Sequence, residues 1–183
     1  MSEPSSAVSE PSPAAARPEP IAERPGMAAG YGIKPAEPEK MIPWSAVEEK
    51  LAAARNYWVC TVGPDGRPHA APVWGFWADD ALYFGTDPAS RKGRNLAANP
   101  ELVIHLESGD DVVILEGAVE ITDDPATVRP VMAAYATKYA MPLADFEALT
   151  SALYRLRPRV AFAWLESSFP DTATRFRFED GAA

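Results

Sequence analysis

Short runs of β-branched and aromatic residues, each closed by a tight-turn signal, constrain the fold of this chain more than any other feature. Residues 57–62 form such a run and end at a Gly-Pro-Asp-Gly segment (63–66), where proline second and glycine fourth favour a reversal. Residues 69–77 form the return strand, and Ala-Asp-Asp at 78–80 separates it from a third run, 81–86. Strands joined by turns this short pair side by side, so the pattern predicts an antiparallel meander.

The rest of the chain adds four more predicted strands and four predicted helices. A capping box with Ser45 and Glu48 predicts a helix to about Arg55, and a cap at Asp124 before Pro125 predicts a helix of about four turns. The other predicted helices begin near Ser90 and run from Leu143 to Leu153; the other predicted strands are Leu102–Leu106, Val112–Ile121, Val160–Glu166 and Thr174–Phe178. A mainly β, α+β domain with peripheral helices follows, and a closed or partly closed antiparallel barrel manages its strand edges best.

The chain divides into a tail and one domain. Residues 1–40 hold eight of the 19 prolines and no Trp or Phe, too little apolar surface to offset the entropy of ordering. We predict a disordered tail over 1–40 and a single cofactor-binding domain over 41–180.

Composition excludes several classes of partner. The formal net charge of -9 argues against nucleic acid and anionic membranes as partners, because both reward a basic face. No apolar run is long enough to cross a bilayer and the first residues lack a secretory core, which predicts a cytoplasmic protein. The chain has a single cysteine and two histidines, too few for a Cys-rich or His-rich metal site, so no metal site is predicted.

Against that acidic background, residues 90–95 (SRKGRN) place three cations within four positions at the start of a predicted helix. Ser90 is suited to cap the helix, whose first amides are free to donate hydrogen bonds and whose dipole favours an anion. The cations add charge to such a site, so we interpret the segment as the phosphate anchor of a small cofactor. The alternative is a solvated basic turn at the start of a surface helix.

The order of the motifs resembles the pyridoxamine 5'-phosphate oxidase-like superfamily. The segments that carry the resemblance are WVCTV (58–62), GRPH (66–69), APVW (71–74), LYFGT (82–86), SRKGRNL (90–96), the Asn99-Pro100 pair, the Glu116-Gly117 pair and TRF (174–176). Within the superfamily the chain is most similar to the flavin/deazaflavin oxidoreductases, which use FMN or the deazaflavin coenzyme F-420. The resemblance covers roughly residues 44–178.

The resemblance implies a split β-barrel of the FMN-binding type that forms a homodimer, with the cofactor in a groove shared by both subunits. Carried over by position, Arg91 and Lys92 would grip the cofactor phosphate. The other implied cofactor contacts are Ser90, Asn95, Thr61, His69, Ala70, Ala71, Pro72 and Val73, with Thr174 and Arg175 approaching from the partner subunit. Arg177 competes with Arg175 for that role, and His69 could instead be a solvent-exposed strand residue.

The implied function is an oxidoreductase that transfers hydride between coenzyme F-420 (8-hydroxy-5-deazaflavin) or FMN and an unsaturated small molecule, with the chemistry carried by the cofactor. No side chain presents itself as an obligate acid or base. The vitamin-processing oxidases carry an Arg-x-x-Leu-Leu-Lys segment where this chain reads APVWGF (71–76), which favours the deazaflavin. The alternatives are a pyridoxamine 5'-phosphate oxidase-like enzyme that uses FMN, and a non-catalytic binder of flavin, deazaflavin or haem with His69 or His105 as the axial ligand.

Overall fold

An antiparallel sheet forms the frame of the computed structural model, which describes residues 17–145 and 152–179. Its strands are β1 (Ile21–Glu23), β2 (Asn56–Val62), β3 (Pro68–Trp74), β4 (Phe76–Ala78), β5 (Ala81–Gly85), β6 (Glu101–His105), β7 (Asp111–Thr122), β8 (Leu153–Leu156), β9 (Val160–Leu165) and β10 (Thr174–Arg177). Its helices are α1 (Trp44–Ala53), α2 (Arg91–Ala98), α3 (Pro125–Tyr139) and the four-residue α4 (Phe169–Thr172), with 3-10 turns at Ala29–Tyr31, Pro38–Lys40 and Glu166–Ser168.

The long strand β7 joins two branches of the sheet. Its first half, Asp111–Glu116, pairs with β9, and its last residues, Val119–Thr122, pair with β8, which leads on to β5 and β4. The other branch has the order β1-β10-β9-β7-β6-β2-β3, with every pair antiparallel. All described strand pairs are antiparallel, and the described strands form a sheet that stays open. The predicted mainly β, antiparallel split barrel is confirmed.

The interior is filled from both branches and from α1. Val47 and Leu51 of α1 have no exposed surface, and neither do Val59, Ile104 and Leu115 of the facing strands. Strict alternation along β2 sends Tyr57, Val59 and Thr61 inward and leaves Trp58 and Cys60 partly exposed on the outer face. Alternation of this kind fixes the register, because a slip of one residue would turn the apolar set to solvent.

Gly75 divides the predicted second strand of the meander into β3 and β4. A Cβ on this glycine would lie 2.8 Å from a ring carbon of Tyr57, and its amide donates to the Tyr139 hydroxyl at 2.9 Å instead of to a neighbouring strand. The prediction of one continuous strand over 69–77 is therefore wrong at this residue. The glycine is required by a close tertiary approach that no local turn signal announces.

Helix α1 begins two residues earlier than the capping box predicts. Pro43 occupies the N-cap position, no side chain caps the helix, and Ser45 lies in the first turn. The cause is Trp44, which is 5% exposed and makes edge-on contacts with Phe176 at 5.1 Å and Phe178 at 5.0 Å. Burial of a tryptophan side chain is worth more than a serine cap, so packing sets the start of the helix.

The chain before residue 41 carries structure that its composition does not predict. Strand β1 pairs with β10, and Arg24 donates to the carbonyls of Asp171 (2.6 Å) and Ala173 (2.9 Å). The expectation of disorder over 1–40 is thus contradicted from residue 17 onward, because tertiary hydrogen bonds compensate for the missing core; residues 1–16 lie outside the described residues. We call residues 17–42 the N-terminal strap.

The predicted helix over Leu143–Leu153 falls largely on residues 146–151, outside the described part of the chain. Its last residue belongs instead to β8, a strand that we did not predict and that pairs with both β5 and β7. Leu153, Tyr154 and Leu156 of this strand are buried around the half-buried Arg155, so the segment lacks the apolar and polar alternation that predicts a strand.

Candidate functional site

The start of α2 is built as the sequence predicts. Ser90 is the N-cap, and its hydroxyl accepts a hydrogen bond of 3.1 Å from the Gly93 amide. The hydroxyl of Thr86, at the end of β5, lies 3.2 Å from the same Ser90 oxygen. The cap therefore fastens the first turn of the helix to the strand that precedes it.

Gly93 lets this first turn approach the preceding loop closely. A Cβ at this position would lie 2.5 Å from the Asp87 carbonyl oxygen and 2.6 Å from that of Pro88. Backbone atoms cannot retreat as a flexible side chain can, so a larger residue here would move the start of α2. The glycine between the cations is a packing requirement that the sequence analysis did not identify.

Arg91 and Lys92 belong to the cations that bind no acid among the described residues. Arg91 is exposed and Lys92 half-buried, and within residues 17–145 and 152–179 neither forms a hydrogen bond or an ion pair. Arg91 does help Asp65 to keep its pKa below the ordinary value, after the larger effect of hydrogen bonds from Arg67. Two uncommitted cations at a capped helix start suit an anion.

Asn95 and Thr61 bind each other inside the domain. The Asn95 side-chain amide donates to the Thr61 hydroxyl at 2.9 Å, and the two residues are 4% and 2% exposed. This bond fixes α2 against β2. Because Thr61 also contributes to the wall of a cavity beside β2, the bond connects the basic helix start with that cavity.

A cavity of about 660 Å³ opens beside β2, β3 and β6. The exposed surface of its wall is mainly apolar, although six of the thirteen lining residues are polar or charged, and such a mixture suits a small organic molecule. The lining residues are Cys60, Thr61, Val62, Pro68, His69, Ala70, Asn99, Glu101, Leu102, Val103, Glu116, Gly117 and Arg159. Arg159 and Glu101 form an ion pair at the rim, which lowers the pKa of Glu101.

His69 is part of the cavity wall and has an unsatisfied nitrogen. Its Nδ1 is buried and has no hydrogen-bond partner among the described residues, and its strand position lies opposite Thr61. A buried polar atom without a partner costs free energy unless a ligand or solvent satisfies it. The ring is half-buried, so the reading of His69 as a fully exposed strand residue does not hold.

The remaining predicted contacts on β3 divide between the two faces of the sheet. Ala70 and Pro72 point outward, whereas Val73 points into the core and Ala71 lies half-buried on the same side. Of these four, only Ala70 lines the cavity. The structure therefore brings Thr61, His69 and Ala70 together, with Asn95 behind them, and places Ala71, Pro72 and Val73 beyond the cavity wall.

Thr174 and Arg175 have different environments. Thr174 is fully buried; its hydroxyl accepts from the Ile42 amide and donates to the Thr172 carbonyl, both at 2.9 Å. Arg175 and Arg177 lie on the outer face and both contact Glu23. The sequence analysis treated Arg177 as a competitor of Arg175 for one role, but residues two apart in a strand share a face, so the two arginines lie side by side.

A cluster around Gly75 was missed by sequence reasoning. The Tyr139 hydroxyl lies 2.9 Å from the Gly75 carbonyl oxygen and 2.6 Å from that of Arg55, and its ring stacks on Trp74 at 4.5 Å. Lys138 donates to the same Gly75 carbonyl (3.1 Å) and to the Tyr57 hydroxyl (2.9 Å). Burial lowers the pKa of Lys138 to about 8. The cluster holds α3 against the break between β3 and β4.

The part of the chain that the structure describes has neither a cluster of metal-ligating residues nor a membrane-spanning helix. Among the described residues, His, Cys, Asp and Glu do not gather in groups of three or more suited to a metal ion. The described helices include none with the length and apolar character needed to cross a bilayer.

The fold and the site together define a small split-barrel protein with a basic helix start next to an apolar cavity. The family model for pyridoxamine 5'-phosphate oxidase matches residues 44–169, most of the chain. The chain belongs to this family, and the resemblance that the motif order indicated is confirmed.

Known relatives support the same assignment. The chain is 36% identical over 125 residues to a pyridoxine/pyridoxamine 5'-phosphate oxidase from Rhodopseudomonas palustris (strain BisB5), a match that covers 62% of this chain but only 59% of that protein. A solved F-420 reductase is 27% identical, with a TM-score of 0.51 over 62% of this chain and 94% of its own. A conserved hypothetical protein from Mycobacterium tuberculosis (20% identity, TM-score 0.64, covering 82% of this chain and 99% of its own) shares the fold.

Proposed function

We propose that this protein is an oxidoreductase that transfers hydride between coenzyme F-420 or FMN and an unsaturated small molecule. One observation carries the proposal: within the described residues Arg91 and Lys92 bind no acid, and they stand at a capped helix start that the Asn95–Thr61 bond attaches to the cavity wall. A phosphate-bearing ring system is a ligand that needs both an anion anchor and an apolar wall. The family membership and the likeness to an F-420 reductase support the same class of ligand.

Each part of the site has a role in this proposal. Arg91, Lys92 and the first amides of α2 would hold the phosphate, with Ser90 keeping the turn in place. Thr61, His69 and Ala70 would border the ring, and the orphaned Nδ1 of His69 is a polar atom that a bound ring can satisfy. Bound flavin or deazaflavin supplies the hydride chemistry. The chain contributes an apolar wall that excludes water and fixes the position of the substrate.

A homodimer is part of the same proposal. One row of register partners on the outer face of the sheet contains Trp58, His105, Ile114 and Phe162, side by side and only half-buried. Apolar side chains in such a row are suited to an interface between two copies. The same row continues to Arg175, the register partner of Phe162, so this arginine lies at the edge of the proposed interface. Light scattering on the purified protein measures the number of subunits, and a cytoplasmic location stays a prediction.

The deazaflavin is favoured over FMN by the segment 71–76. Where the vitamin-processing oxidases have a lysine, this chain has Phe76, which lies against Lys138 with 6.0 Å between the amine and the ring centroid. A cation able to bind a substrate phosphate is thus missing from this strand. The alternative is an FMN enzyme that oxidises pyridoxamine 5'-phosphate, in line with the matched family model and the bacterial relative.

Titration with the two cofactors tests the proposal. Purified protein is mixed with FMN or with coenzyme F-420, and binding is followed by the change in cofactor fluorescence. We expect saturable binding of at least one cofactor, tighter for F-420, and consumption of the reduced cofactor when an enone or quinone is added. Oxygen uptake with pyridoxamine 5'-phosphate and FMN would instead establish the alternative enzyme. Binding of neither cofactor contradicts the proposal.

A haem carrier is a second candidate, because of the state of His105. Its Nδ1 lies 2.8 Å from the Leu106 carbonyl oxygen; since a carbonyl only accepts, Nδ1 carries the proton. An imidazole whose proton lies on Nδ1 has a free lone pair on Nε2, and a histidine needs such a lone pair to bind a metal. Addition of haemin should produce a Soret band that His105→Ala removes and His69→Ala retains. A spectrum unchanged by His105→Ala would exclude this histidine as the ligand.

A further inference from the structure

The N-terminal strap is attached to β10 along its whole course. Ile21, Ala22 and Glu23 pair with Arg177, Phe176 and Arg175 in antiparallel register. Arg24 then binds two carbonyls of the turn before β10, and further on Lys34 forms an ion pair of 2.9 Å with Asp171. The strap ends where the Ile42 amide donates to Thr174. These contacts fix residues 21–24, Lys34 and Ile42 relative to β10 and the turn before it.

Glu23 uses this position to hold two arginines with one oxygen atom. Its Oε1 accepts from Nη1 of Arg175 at 2.9 Å and lies 3.2 Å from Nε of Arg177. All three side chains are about one-third to two-fifths exposed. Within the described residues, Arg175 keeps Nε and Nη2 uncommitted and Arg177 keeps both Nη atoms. The pair of arginines thus stays cationic and retains donors for a further anion.

The arginines lie on the face of the sheet that carries the cavity. Register partners connect Ala70 to Cys60, Cys60 to Val103 and Val103 to Glu116, all four of which line the cavity. The same row continues through Val160 on β9 to Arg177 on β10. Because neighbouring strands are about 4.8 Å apart, Arg177 stands roughly 10 Å from the last cavity residue of its row. A long guanidinium side chain and an extended ligand can span this distance.

We propose that Glu23 is a positioning residue that orders Arg175 and Arg177 for the anionic portion of the cofactor, which makes this one residue of the N-terminal strap a part of the binding site. The inference rests on the proposed function, because it takes an anionic flavin-like ligand as given. Arginine side chains lose considerable rotamer freedom when they bind. A carboxylate that already fixes them removes part of this cost in advance.

The proposal and simple electrostatics predict opposite results for the removal of Glu23. A negative charge beside two cations weakens their attraction for an anion, so charge alone predicts tighter cofactor binding in Glu23→Ala. Positioning predicts weaker binding, because the arginines must then be ordered at the expense of the ligand. We expect affinity for the cofactor to fall about twofold to tenfold, the range for one immobilised side chain.

A matched control separates this effect from a general change in charge. Glu37→Ala removes the same charge from the same strap, but Glu37 pairs with Lys40 and has no contact with the arginines. We expect its affinity for FMN and coenzyme F-420 to equal that of the wild type. Fluorescence titration of both variants, at one ionic strength, provides the measurement. Equal weakening in Glu37→Ala would overturn the positioning role.

A double-mutant cycle tests whether Glu23 acts through Arg175. Arg175→Ala should itself weaken binding, and adding Glu23→Ala to it should have less effect than in the wild type. A purely structural contribution of Glu23 would persist undiminished in that background and would overturn the inference. If wild-type protein binds neither cofactor, the proposed function fails and this inference with it. If wild-type protein binds and Glu23→Ala binds equally well or better, the positioning role alone fails.

Discussion

Two pairs of cations serve this molecule, and they differ in what holds them. Arg91 and Lys92 stand at the start of α2 without a bound acid, whereas Arg175 and Arg177 share the carboxylate of Glu23. The first pair keeps its full charge for a ligand, and a helix start adds to it. The second pair has part of its charge balanced by Glu23 and gains fixed geometry. The comparison indicates that the anchor at Arg91 and Lys92 supplies affinity for the ligand, whereas Arg175 and Arg177 supply its orientation.

Removal of the anchor should have the largest effect. In Arg91→Ala/Lys92→Ala we expect cofactor binding to weaken by about 2 to 5 kcal/mol, because each charge-assisted hydrogen bond contributes about 1.5 to 3 kcal/mol with incomplete additivity. Calorimetric titration measures the loss. The control Lys40→Ala/Arg129→Ala removes two exposed cations elsewhere and should leave binding unchanged. Unchanged affinity in the first variant would contradict the role of α2.

Deletion of residues 1–40 makes the second pair resemble the first, because it leaves Arg175 and Arg177 without their carboxylate. It also exposes the edge of β10 and removes the Arg24 bonds, so we expect a loss of about 2 to 4 kcal/mol of stability at a net of roughly 1 kcal/mol per hydrogen bond. Urea unfolding measures this loss, and Arg24→Ala should reproduce part of it. A deletion variant as stable as the full chain would show that the strap contributes nothing to folding.

The bond between Asn95 and Thr61 tests how firmly the anchor is attached to the cavity. Asn95→Ala leaves a buried hydroxyl without its donor and should cost about 1 to 3 kcal/mol of unfolding free energy. Removing both polar partners, in Thr61→Val/Asn95→Leu, should cost less than the single change, because no unpaired group remains. Thermal unfolding compares the two variants. A double variant less stable than Asn95→Ala would show that packing, not the hydrogen bond, dominates.

Lys138 extends the comparison to a half-buried cation without an acid. Burial lowers its pKa in the folded state to about 8 from an ordinary 10.5. Between these values the unfolded chain binds the proton and the folded chain does not, so stability rises with pH in this interval. The stability of the wild type relative to Lys138→Met should therefore increase from pH 8 to pH 10.5 in urea unfolding. A difference that is constant with pH would contradict the lowered pKa.

Local signals predicted the elements that local chemistry dominates. The caps at Ser90 and Asp124 are present, with hydrogen bonds to the helix amides, and the glycine-rich turn at 63–66 joins β2 to β3. Such features depend on residues a few positions apart, which a sequence displays directly.

Elements that depend on distant contacts could not be predicted in this way. The strap has the composition of a disordered segment, and only hydrogen bonds to residues about 150 positions away order it. The break at Gly75 depends on Tyr57 and Tyr139, and the start of α1 depends on Phe176 and Phe178. For the site, residue order indicated the anchor, but the cavity wall, the orphaned nitrogen of His69 and the role of Glu23 became visible only in three dimensions.

The sequence by itself determined the antiparallel strands, the capped helix with its cations and the family, because these follow from short-range patterns and from motif order. Tertiary structure alone decided which predicted residues meet and how the two basic pairs are held. The physical reason is that side-chain alternation, close approach of backbones and shared carboxylates arise from contacts between segments far apart in the chain, whose free energy outweighs local preference.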